Sequence, residues 1–258
     1  MRYQSFYRLG TISLLALSTF TAANRSVLAA EMACPASNTS PGQHVQLSAS
    51  PASAITTLFK ATGETQADSF GEGIAAADVN GDGFPDIIVG ARGDVNAGST
   101  SNGKVYVYPG SSSGINATAA VVLHGEGKGG EFGRTVAAAG DITGSGFQGV
   151  MVSAHGFDAG KGFHQGKVYF YTGSKSGLSD KPSFVLAGES SGSDFGRSLI
   201  SAGDLDKDGY GDIVVGAPGF TGTIGGQGKV YVYRGTATGL NLTPAFTALG
   251  EIENAEFG

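Results

Sequence analysis

Two nine-residue stretches carry acids or amides on alternate positions. In DVNGDGFPD, Asp78, Asn80 and Asp82 stand at positions 1, 3 and 5, the main-chain carbonyl of Phe84 falls at position 7, and Asp86 closes the run at position 9. DLDKDGYGD repeats the pattern with Asp204, Asp206, Asp208, the carbonyl of Tyr210, and Asp212. Oxygens at this spacing wrap a hard cation, and a glycine at position 6 lets the chain turn sharply around it. A ligand set without imidazole or thiolate suits calcium better than zinc, and magnesium, which demands a stricter octahedron, comes second. An EF-hand needs a bidentate acid at loop position 12, where this chain has Val89 and Val215. Isolated Asp-Gly pairs decorate many solvent turns, but the same alternation at two matching places favours metal. The second of these loops has four carboxylates against three and is expected to bind more strongly. Between them lies DITGSGFQG, with Asp141, Thr143 and Ser145 at positions 1, 3 and 5 and Gly149 at position 9. Its single formal charge predicts a middle loop that is empty or very weak.

These loops sit inside a repeat. Phe-Gly occurs at Phe70-Gly71, Phe132-Gly133, Phe195-Gly196 and Phe257-Gly258, spaced 62, 63 and 62 residues apart. After each acidic or degenerate loop comes a short apolar run bounded by glycine: IIVGARG from Ile87, VMVSAHG from Val150, IVVGAPG from Ile213. Runs rich in β-branched residues predict buried strands. GKVYVYPG from Gly103, GKVYFYTG from Gly166 and GKVYVYRG from Gly228 follow, and strand alternation turns Val105 and Val107 to one face and Tyr106 and Tyr108 to the other. VVLHGE at Val121, FVLAGE at Phe184 and FTALGE at Phe246 complete the units, and an earlier copy of that element, TTLFKATGE, begins at Thr56. With the segment between Phe-Gly and the first aspartate, each unit has four strands, and no window has the period of a helix.

The Phe-Gly landmarks, the DxDxDGxxD-type loops and GAPG at Gly216–Gly219 together resemble the FG-GAP repeats of integrin α-subunit propellers and their bacterial relatives. The resemblance spans residues from about 55 to 258 and implies an all-β chain of β-propeller blades, with units at about 70–131, 132–194 and 195–256 and the start of a fourth at 257–258. It also implies calcium in the first and third loops. Closed propellers have roughly 4 to 8 blades, so three make an incomplete or open array that self-associates or belongs to a longer chain. The function implied is that of a non-enzymatic binding or adhesion module, with a protein or glycan ligand at the propeller loops. The alternatives are the accessory propeller of an extracellular hydrolase or lectin, or a fragment of a longer propeller protein.

Residues 1–30 have a basic start (Arg2, Arg8), an uncharged apolar run from Thr11 to Ala23, and Ala29-Ala30, which predicts a cleaved secretory signal peptide. Secretion to the extracellular space, periplasm or cell surface follows, with no membrane span after cleavage. Without that segment 13 basic residues face 22 acidic ones, a net charge of −9 that disfavours nucleic acid. Residues 31–53, rich in Ser, Ala and Pro, are expected to be a linker. Cys34 is the one cysteine, so no internal disulfide forms, and the residues before it lack the leucine of a lipid-anchor site. Arg92-Gly93-Asp94 spells an adhesive tripeptide but occupies the repeat's own turn. His155 and His164 carry no nucleophile at a motif spacing and are expected to be surface or loop histidines, whereas Lys104, Lys167 and Lys229, which open the tyrosine strands, are expected to be structural. Sequons at Asn38, Asn116 and Asn241 would accept glycans in a eukaryotic secretory pathway.

Overall fold

The computed structural model describes residues 59–64, 68–93, 102–127 and 129–258. The expected signal peptide, the linker, Cys34, Thr56 and Asp94 of the Arg-Gly-Asp tripeptide lie outside the described residues.

Each repeat folds as one antiparallel sheet in sequence order. The first blade holds β1 (Phe70–Ala77), β2 (Asp86–Ala91), β3 (Lys104–Tyr108) and β4 (Val121–His124). The second holds β5 (Val136–Gly140), β6 (Gly149–Ala154), β7 (Lys167–Tyr171) and β8 (Phe184–Ala187). The third holds β9 (Ser198–Gly203), β10 (Asp212–Ala217), β11 (Lys229–Tyr233) and β14 (Phe246–Leu249), with a small hairpin of β12 (Gly235–Thr236) and β13 (Gly239–Leu240) between its last two strands. Among the described residues there is no helix, and the blades form an open array.

Register matches across the repeats, since Val89, Val152 and Val215 pair with Tyr106, Tyr169 and Tyr231. The innermost strands differ by one residue. β5 and β9 carry an extra residue before the first aspartate, and their ladders slip there, beside Gly140 and Gly203 with φ of 73° and 69°. Glycine tolerates that left-handed backbone, which lets a bulge keep all three loops at the same end of their blades.

The alternation within the tyrosine strands builds the core. Ile88, Val105, Val107 and Leu123 on one face of the first blade pack against Val136, Val152, Tyr169 and Tyr171 of the second. Met151, Val168, Phe170 and Leu186 on the far face of the second pack in turn against Val215, Ala217, Tyr231 and Tyr233 of the third. A valine-rich face therefore meets a tyrosine-rich face at each seam, and burial of both supplies the main drive for stacking. The Phe-Gly landmarks lie in these seams: Phe132 and Phe195 are buried and set edge-on against Tyr169 and Tyr231 at 5.3 and 5.2 Å. Gly90 has no room for a side chain, because an added Cβ would fall 1.8 Å from the carbonyl of Gly133 in the next blade.

Candidate functional site

The three loops connect the first and second strands of their blades. In each, the first aspartate folds the loop around itself. Asp78 accepts amide hydrogen bonds from Gly81 (2.7 Å), Asp82 (3.1 Å) and Gly83 (2.9 Å), and Asp204 accepts them from Asp208 (3.1 Å) and Gly209 (2.9 Å). Asp141 does the same with Ser145 (3.0 Å) and Gly146 (2.6 Å).

The loops part company at the later positions. Asp204, Asp206 and Asp208 turn oxygens toward one point, all within 4.8 Å of one another and exposed. In the first loop Asn80 donates to Asp82 (3.0 Å) and Asp82 accepts from the amide of Phe84 (2.9 Å). Tyr210 gives its amide to Asp208 in the same way, at 3.0 Å. Each such oxygen keeps a second lone pair, so carboxylate, amide and carbonyl oxygens here fit a hard divalent cation.

Position 9 has a further task. Asp86 is buried, with Oδ2 accepting from the amide of Val79 (3.0 Å) and Oδ1 from that of Gly110 (2.8 Å). Asp212 repeats this with Leu205 (2.8 Å) and Gly235 (3.1 Å). Both carboxylates latch the loop's start to the turn that leaves the third strand. Asp212 stands outside the convergent trio of its loop. Burial, together with Asp82 and Asp78 nearby, raises Asp86 above the ordinary aspartate value, although the two amides oppose the shift.

The middle loop has hydroxyls where its neighbours have acids or an amide. Thr143 donates its hydroxyl to Ser145 (3.0 Å), which donates its own to Asp141 (3.4 Å), and the Thr143 oxygen lies 3.3 Å from the same carboxylate. Burial pushes Asp141 up, but the amides of Gly146, Ser145 and Thr143 outweigh it and hold the carboxyl below its usual range. At Gly149 a Cβ would lie 2.7 Å from the ring of Phe170, which stands where the flanking blades have Val107 and Val232.

A family model described as FG-GAP repeat matches residues 70–108 and 195–233, which are the first three strands of the first and third blades with their acidic loops. Mouse integrin alpha-IIb is 36% identical over 185 residues, 69% of this chain and 17% of that protein. Integrin alpha-5 of Xenopus laevis is 31% identical over 198 residues, 74% of this chain and 18% of the relative. Integrin alpha-6 of Gallus gallus reaches 38% over 156 residues, 60% and 14%. This is an integrin-α-like FG-GAP repeat chain. It spans less than a fifth of the length of these relatives.

Several residues that shape the FG-GAP loops gave no local sign of it. Arg234, at the end of β11, reaches Asp206 with Nη1–Oδ2 of 2.7 Å, so one carboxylate of the richer loop already faces a cation. Phe147 lies over Gly81 of the preceding blade, and Tyr210 over Gly144, each within 3.1 Å of where a Cβ would stand. The repeated lysines hold seams: Lys167 pairs with Glu126 and Lys229 with Glu189, both on the preceding blade.

The histidines do come together. His155 and His164 lie 6.2 Å apart, His164 Nδ1 sits 2.6 Å from Asp194, and buried His155 places Nε2 2.9 Å from Glu131. Burial pushes Glu131 up, but His155 and Arg134 outweigh it and hold the carboxyl at about 2. Arg134 also pairs with Glu131, at 2.7 Å, so carboxylates, a guanidinium and two imidazoles gather in one cluster. Arg92 of the Arg-Gly-Asp tripeptide belongs to it, paired with Glu72 and, at 3.6 Å, with Glu131.

Proposed function

We propose that this chain is a secreted calcium-binding module of adhesion type, which presents propeller loops to a protein or glycan ligand and does no chemistry of its own. The observation that carries the calcium reading is the convergence of Asp204, Asp206 and Asp208 in a loop whose sequence pattern recurs at Asp78–Asp86. Asp78, Asn80, Asp82 and Asp86, with the carbonyl of Phe84, would hold one ion, and Asp204, Asp206, Asp208 and Asp212, with the carbonyl of Tyr210, a second. A bound calcium supplies the positive charge that like-charged carboxylates in a tight strand connection lack. The likeness to integrin α-subunits supports recognition of other molecules at the cell surface, and residues 1–30 support export.

Extracellular calcium modules bind with dissociation constants of roughly 0.1 to 1 mM, and tenfold excess calcium then adds about 1.4 kcal/mol per site. Calorimetric titration of the chelator-treated chain tests this directly. Two calcium ions per chain are expected, with Asp78→Ala and Asp204→Ala each removing one; a count of three, or none, would reject the assignment.

A further inference from the structure

The second blade grips the first acidic loop at three places. The amide of Gln148, at position 8 of the middle loop, donates to the carbonyl of Asp78 (3.1 Å), and the Gln148 side-chain Oε1 accepts the amide of that same aspartate (3.0 Å). The carbonyl of Val79 accepts from the amide of Ser174 (3.0 Å), in the turn that leaves β7. At Gly81 an added Cβ would meet the ring of Phe147 at 2.8 Å, so that ring closes over the turn.

Each grip bears on a carboxylate of the first loop. Asp78 is held at both of its main-chain groups, and its Oδ1 is oriented by the amide of Gly81 (2.7 Å), which lies under Phe147. Val79 gives its own amide to Asp86 (3.0 Å). The first and last acids of the run are thus aligned through backbone that the neighbouring blade fixes.

The next seam repeats the main-chain part of this arrangement and omits the side chain. The amide of Gly211 donates to the carbonyl of Asp141 (2.9 Å), and the Tyr210 ring covers Gly144 at 3.1 Å from where a Cβ would stand. Gly211 occupies position 8, where the middle loop has Gln148, and has no side-chain oxygen to offer the amide of Asp141. The main-chain bond and the ring are common to both seams, which is what registering one blade on the next requires. The glutamine acceptor is additional, and it reaches the loop with three carboxylates rather than the loop with one.

Resting on the calcium reading above, we propose that Gln148 is a positioning residue for the ion of the first loop, which therefore takes its ligands from the first blade and their alignment from the second. A ligand held in place beforehand loses less freedom on binding, so pinning the Asp78 amide raises affinity without touching the ion. The coupling is reciprocal: an ion on Asp78 steadies the bonds to Gln148, and loading the loop tightens the seam between the first two blades.

Calorimetric titration of the full chain in an Asp204→Ala background isolates the first loop. There Gln148→Met, which keeps the length and removes the oxygen, is expected to weaken calcium about threefold or more. Gln148→Glu keeps an acceptor and should retain the parent affinity or exceed it. In an Asp78→Ala background, Gln148→Met should leave the affinity of the third loop unchanged. Hydrogen exchange gives a readout that needs no ion: in chelator the Asp78 amide should exchange faster in Gln148→Met than in the parent or in Gln148→Glu. Adding calcium to the parent should then slow exchange at the Gln148 amide, across the seam. The inference is overturned, and the calcium reading stands, if the first loop binds equally well in Gln148→Met, if both loops lose affinity equally, or if Gln148→Glu loses as much as Gln148→Met. An Asp204→Ala chain that takes up no calcium sinks the first-loop reading itself, and the inference with it.

Discussion

The middle loop and its two neighbours make the same turn and solve opposite problems. All three gather amides around a first aspartate, so the turn itself is organised by one carboxylate. The outer loops then add acids that repel one another, and bury one at position 9 as a latch. The middle loop replaces those acids with hydroxyls that donate inward, and fills the latch site with the ring of Phe170. Loop shape alone therefore says nothing about a cation; the charge left over after the amides are counted does.

The contrast breaks most visibly at the latch. Asp212→Ala orphans the amides of Leu205 and Gly235 beside a buried strand, and a loss of about 3 kcal/mol is expected in chemical denaturation. A loss under about 1 kcal/mol would mean that the latch does not distinguish the outer loops. The converse change, Gly149→Asp, drives a carboxylate into Phe170 and should cost about 2 to 3 kcal/mol through overpacking. Adding Phe170→Val should recover part of that by opening the space the outer blades have. No recovery would show that the ring and the missing acid are unrelated.

A finer test uses protons. In chelator, Asp86 should titrate above 3.8 and Asp141 below it, followed by carboxyl carbon shifts in NMR spectra. The sign of their linkage to stability is opposite. Asp141, lowered, contributes stability that is present above 3.8 and lost as pH falls through its folded value. Asp86, raised, favours the fold most below 3.8 and loses that contribution as pH rises through its own folded value, so acid should loosen the middle loop while relaxing repulsion in the first. The smallest effect is expected at Arg234→Ala, which removes an exposed guanidinium from Asp206 and should tighten calcium at the third loop by about two- to threefold. Weaker binding would show that Arg234 helps to order the loop.

The blades were legible in the sequence because their signals are local: β-branched runs, glycine boundaries and a Phe-Gly pair that returns on a fixed period. The alternation of Val105 and Tyr106 was enough to assign them to opposite faces, and they lie in separate cores. The acidic loops were found from spacing alone. What spacing could not convey was contact across strands. Counting charges ranked the third loop above the first, whereas Arg234 arrives from the end of another strand and offsets one of its acids. Asp86 read as a ligand like the others, and its grip on Gly110 depends on a turn 24 residues away. The approach of the Phe170 ring to Gly149 needs the register between β6 and β7, in which Phe170 pairs with Met151, and the meeting of His164 with Asp194 needs the packing of two loops.

The glutamate clasps straddle the landmarks that divide the repeat. A gene cut at each Phe-Gly codon pair would therefore hand the second and third units a lysine in their third strand and leave its acid behind on the upstream piece. Anyone shuffling these modules between relatives should let the six residues ahead of the landmark travel with the downstream donor, so that each graft arrives with both halves of its fastening.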